Sequence, residues 1–151
     1  MAIGIFASNE RTVTANGISI TSTCIWSSLS RVRSRWSKIA GRNKQLGEFN
    51  ITTNGIDADA LHAFHANNKI FGTNLTITTY GVPASGAETD NGGLIEITGG
   101  TITTYGVGAF GLFRTDNGNI TAAGMSITIS GAGCYGLFPL NGGWHQRQRC
   151  Q

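Results

Sequence analysis

The sequence predicts an all-β chain wound as a parallel β-helix of about five coils, each about 25 residues long, and three observations predict it. The first is a repeat in phase. The step from Ile77 to Ile102 equals the step from Ile102 to Ile127, while Ile51 stands one place further back from Ile77, and Ile20 further still from Ile51. The second is Gly111-Leu112-Phe113, which returns one such step later as Gly136-Leu137-Phe138, with Gly4-Ile5-Phe6 and Ala63-Phe64 as degraded copies. The third is the Asn-Gly turn at Asn91-Gly92, Asn117-Gly118 and Asn141-Gly142. Hairpins require neighbouring strands that complement each other, whereas copies in phase stack on themselves as in-register parallel ladders. With coils roughly 4.8 Å apart, five make a rod about 24 Å long.

Residues 1–23 read as a partial first coil, ending in "ISITST". Residues 24–48 break the repeat. Their core, 24–46, holds Arg31, Arg33, Arg35, Lys38, Arg42 and Lys44, six of the chain's 11 Lys and Arg, and no acid. Leu29, Val32, Trp36 and Ile39 fall at helical spacing, which is compatible with an amphipathic basic helix or lid. The preferred reading is a segment translated out of its ancestral frame, since Gly- and Thr-rich coding sequence read in another frame yields Arg, Trp, Cys, Ser and Gln. Residues 49–143 are the repeats proper. Ile alternates with Thr in "LTITT" and "TITT", the period-two pattern of a β-branched strand. Residues 144–151, "WHQRQRCQ", again leave the repeat.

This pattern assigns an inward ladder of Ile20, Ile51, Ile77, Ile102 and Ile127, joined by a Leu/Phe ladder with Leu112 and Leu137. Ser19/Thr21, Asn50/Thr52, Thr76/Thr78, Thr101/Thr103 and Ser126/Thr128 face outward. Gly111 leaves open whether Leu112 or Phe113 points in. Turn asparagines are expected to stack their amides along a corner.

Charged residues make up only 13% of the 151, against 22 Gly, a composition that suits a secreted solenoid better than a cytosolic enzyme. No stretch approaches the roughly 20 apolar residues of a membrane helix. The start, "MAIGIFASNE", has neither a charged region nor a long apolar run, so no export signal is expected there. Cys24, Cys134 and Cys150 have no metal spacing, their odd number argues against a disulfide framework, and Cys134 reads as a packed thiol.

Units of the form I-T-x-x-G-x-x-A-x-G-L-F-x-x-x-x-G-x-I-T, carried by residues 2–21 and 49–143, resemble the passenger domains of bacterial autotransporters, the type V secreted proteins. The resemblance implies a right-handed β-helix at the bacterial surface, exported through an outer-membrane β-barrel translocator elsewhere in the parent protein. It also implies adhesion: contact with a host-cell or matrix receptor, a glycan or sister passenger domains. No nucleic-acid partner and no cofactor are expected.

Catalysis finds little support in the sequence. β-Helical lyases and hydrolases need clustered carboxylates. The candidates are Asp57/Asp59, Glu88/Asp90 and Asp116, with Asp90 and Asp116 expected at equivalent turns of successive coils, where a cation would bridge them. An Asp before Asn-Gly is more simply a turn former. His62, His65 and His145 show no metal motif or triad, and His62 and His65 read as surface residues. No catalytic, cofactor or metal residue is therefore assigned. A polysaccharide lyase or hydrolase is one alternative. The other is an ice-binding protein, suggested by the outward Thr-x-Thr ladder.

Overall fold

The computed structural model describes residues 5–7, 13–17, 19–22, 39–41 and 44–139, with continuous side-chain environments from Leu46 onward. Its strands are β1 (Ile5–Ala7), β2 (Val13–Asn16), β3 (Ser19–Ser22), β4 (Ile39–Gly41), β5 (Lys44–Gly47), β6 (Asn50–Thr53) and β7 (Leu61–Phe64). They continue with β8 (Lys69–Thr79), β9 (Ala87–Asp90), β10 (Leu94–Thr104), β11 (Phe110–Arg114), β12 (Asn119–Ile129) and β13 (Tyr135–Pro139). One sheet runs β1-β4-β7-β9-β11-β13 and the other β12-β10-β8-β5-β2, with β3 and β6 extending the row of β8. Every pairing is parallel. The protein is thus an all-β solenoid. The stretch 44–139 makes about four turns, close to the five expected, and no helix occurs among the described residues.

The isoleucine ladder has the expected register, Ile20 on Ile51, Ile77, Ile102 and Ile127. Ile51, Ile77 and Ile102 are fully buried, while Ile127, on the last strand of its sheet among the described residues, is half-buried. Leu112 is the residue that points inward, in register with the buried Leu61 and Ala87, while its partner Leu137, on the last strand of this sheet among the described residues, is exposed rather than packed inside. Gly111 resets the alternation, because a Cβ there would press on the Ile127 side chain, so both 111 and 112 face the core. Leu61-His62, rather than Ala63-Phe64, therefore occupies the register of Leu112-Phe113.

Each coil also bends at one position, where the backbone turns left-handed: Gly17, Glu48, Asn74, Gly99 and Gly124, with φ of 63°, 52°, 53°, 70° and 63°. This bend splits the long strands β8, β10 and β12 into two arms. The arm before it packs Ile70, Ile95 and Ile97 into the core, and the arm after it packs the isoleucine ladder. Volumes across the bend are matched between coils. Leu75 fills the space beside Gly72, and in the next coil Ile97 is paired with Gly100, whose missing Cβ leaves room for the Leu75 backbone.

One further row runs inside. Thr53, Thr79 and Thr104 stack in register and are fully buried, because each follows an inward Ile by two positions. Thr79 donates its hydroxyl to the Ala84 carbonyl at 3.3 Å, while the hydroxyls of Thr53 and Thr104 have no hydrogen-bond partner among the described residues. A buried unpaired hydroxyl costs roughly 1–3 kcal/mol. Thr104→Val is therefore expected to leave stability unchanged or raise it by about 1 kcal/mol, read as the urea midpoint.

Two expectations need correction. Residues 39–41 and 44–47 lie on solenoid strands rather than in an insert: β4 and β5 are in register with β7 and β8, and Leu46 is buried. Leu46 supplies a buried apolar residue to this coil, so the solenoid includes these strands despite the flanking charges. Residues 23–38, with most of the proposed helix, and the tail 144–151 lie outside the described residues.

The Asn-Gly turns are the second correction. Strand register fixes Thr89 on Arg114 and Leu94 on Asn119, so Asn91 is the counterpart of Asp116 and Gly92 of Asn117. The Asp-Asn-Gly motif returns one position later in its coil than the strands on either side of it do. Asn91-Gly92 (φ 49° and 82°) and Asp116-Asn117 (φ 40° and 60°) form the centres of equivalent tight turns, closed by Gly93 N–H on Asp90 O and Gly118 N–H on Thr115 O. The two asparagines therefore do not form an amide ladder, and Asp90 is not stacked on Asp116.

Candidate functional site

Three surfaces gather the polar and aromatic side chains. The first is the outer row of the short-strand sheet. Because Leu61 and Ala63 point inward, His62 lies on the outer row, followed in register by Glu88, Phe113 and Phe138. His62 and Glu88 are nonetheless buried, at 7% and 3% exposure, against the expectation of a surface histidine. His65 is exposed as expected, and its ring lies 3.8 Å from that of Phe64. The Phe64 ring also meets His62 edge-on at 6.0 Å.

Beside this row lies Asp59, also buried, whose carboxylate accepts the Ser85 N–H at 2.7 Å. In the later coils the same face turns aromatic. Phe110 stacks on Phe113 at 4.5 Å and on Tyr135 at 5.9 Å, and Phe138 closes the group at 5.2 Å from Phe110 and 5.0 Å from Tyr135. Register thus brings His62 and Glu88 side by side on one face, a grouping that sequence spacing did not reveal. The available signal was the separation of His62 from Glu88, which equals the local coil length.

The second surface is the outward Thr face of the long-strand sheet. Asn50, Thr76, Thr101 and Ser126 form one exposed row, and Thr52, Thr78, Thr103 and Thr128 form the next. The third is a ridge at the following corner. Tyr80 and Tyr105 stack with ring centres 4.9 Å apart and planes 7° apart, both about half-exposed. Ile56, Val82 and Val107 stand exposed beside them.

The remaining candidates are dispersed. Asp57 is exposed and left-handed at φ 52°, and Asp116 is exposed in its turn. Asn91, Gly92, Asp116 and Asn117 line a shallow open pocket. His145 lies outside the described residues. Among the described residues no three of His, Cys, Asp and Glu are placed to share a metal ion, and no helix is long and apolar enough to cross a membrane.

Cys134 is fully buried, and its thiol donates to the Gly131 carbonyl. Its counterparts one, two and three coils back are Ala109, Ala84 and Ala58, all buried. Cys134→Ala is therefore expected to fold normally and change stability by less than about 1 kcal/mol in a thermal melt.

Chemically, the arrangement is a set of ladders, and acid/base cleavage of a glycoside would require two carboxylates placed together on one of their faces. The Asp59 carboxylate is engaged by backbone, and Glu88 is enclosed between His62 and Phe113 in its row. No family model, curated protein or solved structure matches this chain.

Proposed function

We propose that the chain is part of an autotransporter passenger, displayed at a bacterial surface and serving adhesion or another cell-surface contact, without catalysis. The observation that carries the reading is the pair of outward rows Asn50–Thr76–Thr101–Ser126 and Thr52–Thr78–Thr103–Thr128, which run through four coils in register. Such rows offer extended contact surface and no preorganised reaction centre. The partners would be a host-cell or matrix receptor, a glycan or sister passengers, and the barrel translocator would belong to the parent protein.

The test is display of the parent passenger on a non-adherent strain. Gain of attachment or autoaggregation is the expected outcome. Unchanged attachment, together with turnover of a polysaccharide that Glu88→Gln or Asp116→Asn abolishes, would replace this reading with a lyase or hydrolase.

One observation favours a second reading. The two Thr-rich rows form a regular hydroxyl array, the kind of surface that orders water in an ice-binding protein. Thermal hysteresis in a soluble preparation, lost on Thr101→Tyr, would support it, and its absence would exclude it.

A further inference from the structure

We infer that Tyr80 and Tyr105 form an oxidative modification site, where a one-electron oxidant joins the two rings into a covalent dityrosine staple between adjacent coils. Its formation does not depend on what the surface of the rod binds. Tyr80 and Tyr105 directly follow β8 and β10, whose last residues, Thr79 and Thr104, pair in register. The rings therefore stand one coil apart, with centres 4.9 Å from each other and planes within 7°. The next residues fix that spacing, because a Cβ at Gly106 would overlap the Gly81 carbonyl oxygen and the coils are already in backbone contact. Both rings are about half-exposed, so an oxidant reaches them and each ring has room to turn toward the other.

The pair is also isolated from other phenols. Before and after it in the same row stand Asn54 and Ser130. The chain has 3 Tyr, and the remaining one, Tyr135, stacks on Phe110 and tilts against Phe138. Within one molecule the structure thus offers a single coupling partner. The oxidant class is a haem peroxidase consuming hydrogen peroxide. Each phenol loses one electron and its hydroxyl proton, leaving a phenoxyl radical with spin on the Cε carbons beside the oxygen. The two radicals pair to form one Cε–Cε bond. Each joined carbon then sheds its hydrogen as a proton while its phenolic oxygen regains one, which restores both rings. In total two electrons and two protons leave the protein and convert one hydrogen peroxide into two waters. Rings already held in contact couple in preference to rings that must meet by diffusion. The new bond closes a loop from residue 80 to residue 105 and restricts the unfolded chain as a disulfide does.

The test is treatment of the dilute full chain with a haem peroxidase and hydrogen peroxide, followed by thiol reduction to remove any disulfide. Dityrosine fluorescence is expected, in a monomer lighter by two hydrogen atoms. Cleavage at Glu88 and Glu96, which lie between the two tyrosines, should leave both in one branched peptide. Tyr80→Phe and Tyr105→Phe keep a ring at each position and should each abolish this product, whereas Tyr135→Phe should leave its yield unchanged. The cross-linked monomer should unfold at a higher urea midpoint than the untreated chain. Absence of dityrosine, or its appearance only in covalent dimers, would overturn the inference. So would a monomeric product that survives Tyr80→Phe or contains Tyr135, or an unchanged urea midpoint.

Discussion

Gly106→Ala is expected to be the most damaging single-methyl substitution in the protein, lowering stability by about 3 kcal/mol or more and the melting temperature by about 10 °C. Gly55, Gly81, Gly106 and Gly131 stack at the corner that follows the isoleucine ladder, and all four are buried. A Cβ at Gly106 would overlap the carbonyl oxygen of Gly81, one at Gly81 that of Gly55, and one at Gly131 that of Gly106. The obstructing atoms are backbone in the adjacent coil, so no side-chain rotation relieves the clash. Separating the coils locally would break the neighbouring Tyr105 N–H to Thr79 O bond of 2.9 Å. A domain of this size has only about 5–15 kcal/mol to lose. Gly133→Ala is the control. It has a left-handed φ of 66° but nothing within 4 Å of an added Cβ, so only conformational strain of about 1–2 kcal/mol applies.

Ile102→Ala is expected to cost about 3 kcal/mol, measured as a fall in the urea midpoint at constant slope. Ile102 is fully buried between Ile77 and Ile127, and the backbone of Gly86 lies against its Cγ2. The surrounding coils are tied by ladders on both faces, so the cavity cannot collapse cheaply. Ile127→Ala should cost less, about 1–2 kcal/mol, because Ile127 is only half-buried and, among the described residues, is covered by a strand on one side. Equal costs at the two positions would show that the last described coil is packed as tightly as the interior.

The repeat made the architecture legible because a fixed step acts on every row at once. Once Ile77, Ile102 and Ile127 are aligned, the parallel register of all their neighbours follows, and the outward Thr rows with it. What failed to follow were the places where the local motif and the global step disagree. The Asp-Asn-Gly turns looked equivalent because turn chemistry favours Asp, Asn and Gly at several adjacent positions. The strands on both sides nevertheless hold Asn91 opposite Asp116. The bend row was also invisible, because Glu48 and Asn74 occupy the same left-handed position that Gly99 and Gly124 fill, and no single residue type marks it. β4 and β5 were hidden by Arg42 and Lys44, although Leu46 stands at a buried position in register with the next coil. At the candidate site, His62 and Glu88 each looked isolated, since their proximity comes only from stacking one coil on the next. Chemistry placed by stacking leaves no local motif.

The claim on which all of this depends is that equivalent residues of successive coils lie side by side. Thr76, Thr101 and Ser126 form one exposed outward row, so nitroxide labels there leave the core undisturbed. In a background with Cys24→Ser, Cys134→Ala and Cys150→Ser, the pairs Thr76→Cys/Thr101→Cys and Thr101→Cys/Ser126→Cys place labels on adjacent strands about 4.8 Å apart. Strong dipolar broadening of the electron paramagnetic resonance spectrum is predicted for both pairs, with weaker broadening for Thr76→Cys/Ser126→Cys at twice the spacing. Spectra equal to the sum of the singly labelled proteins would contradict the in-register parallel solenoid.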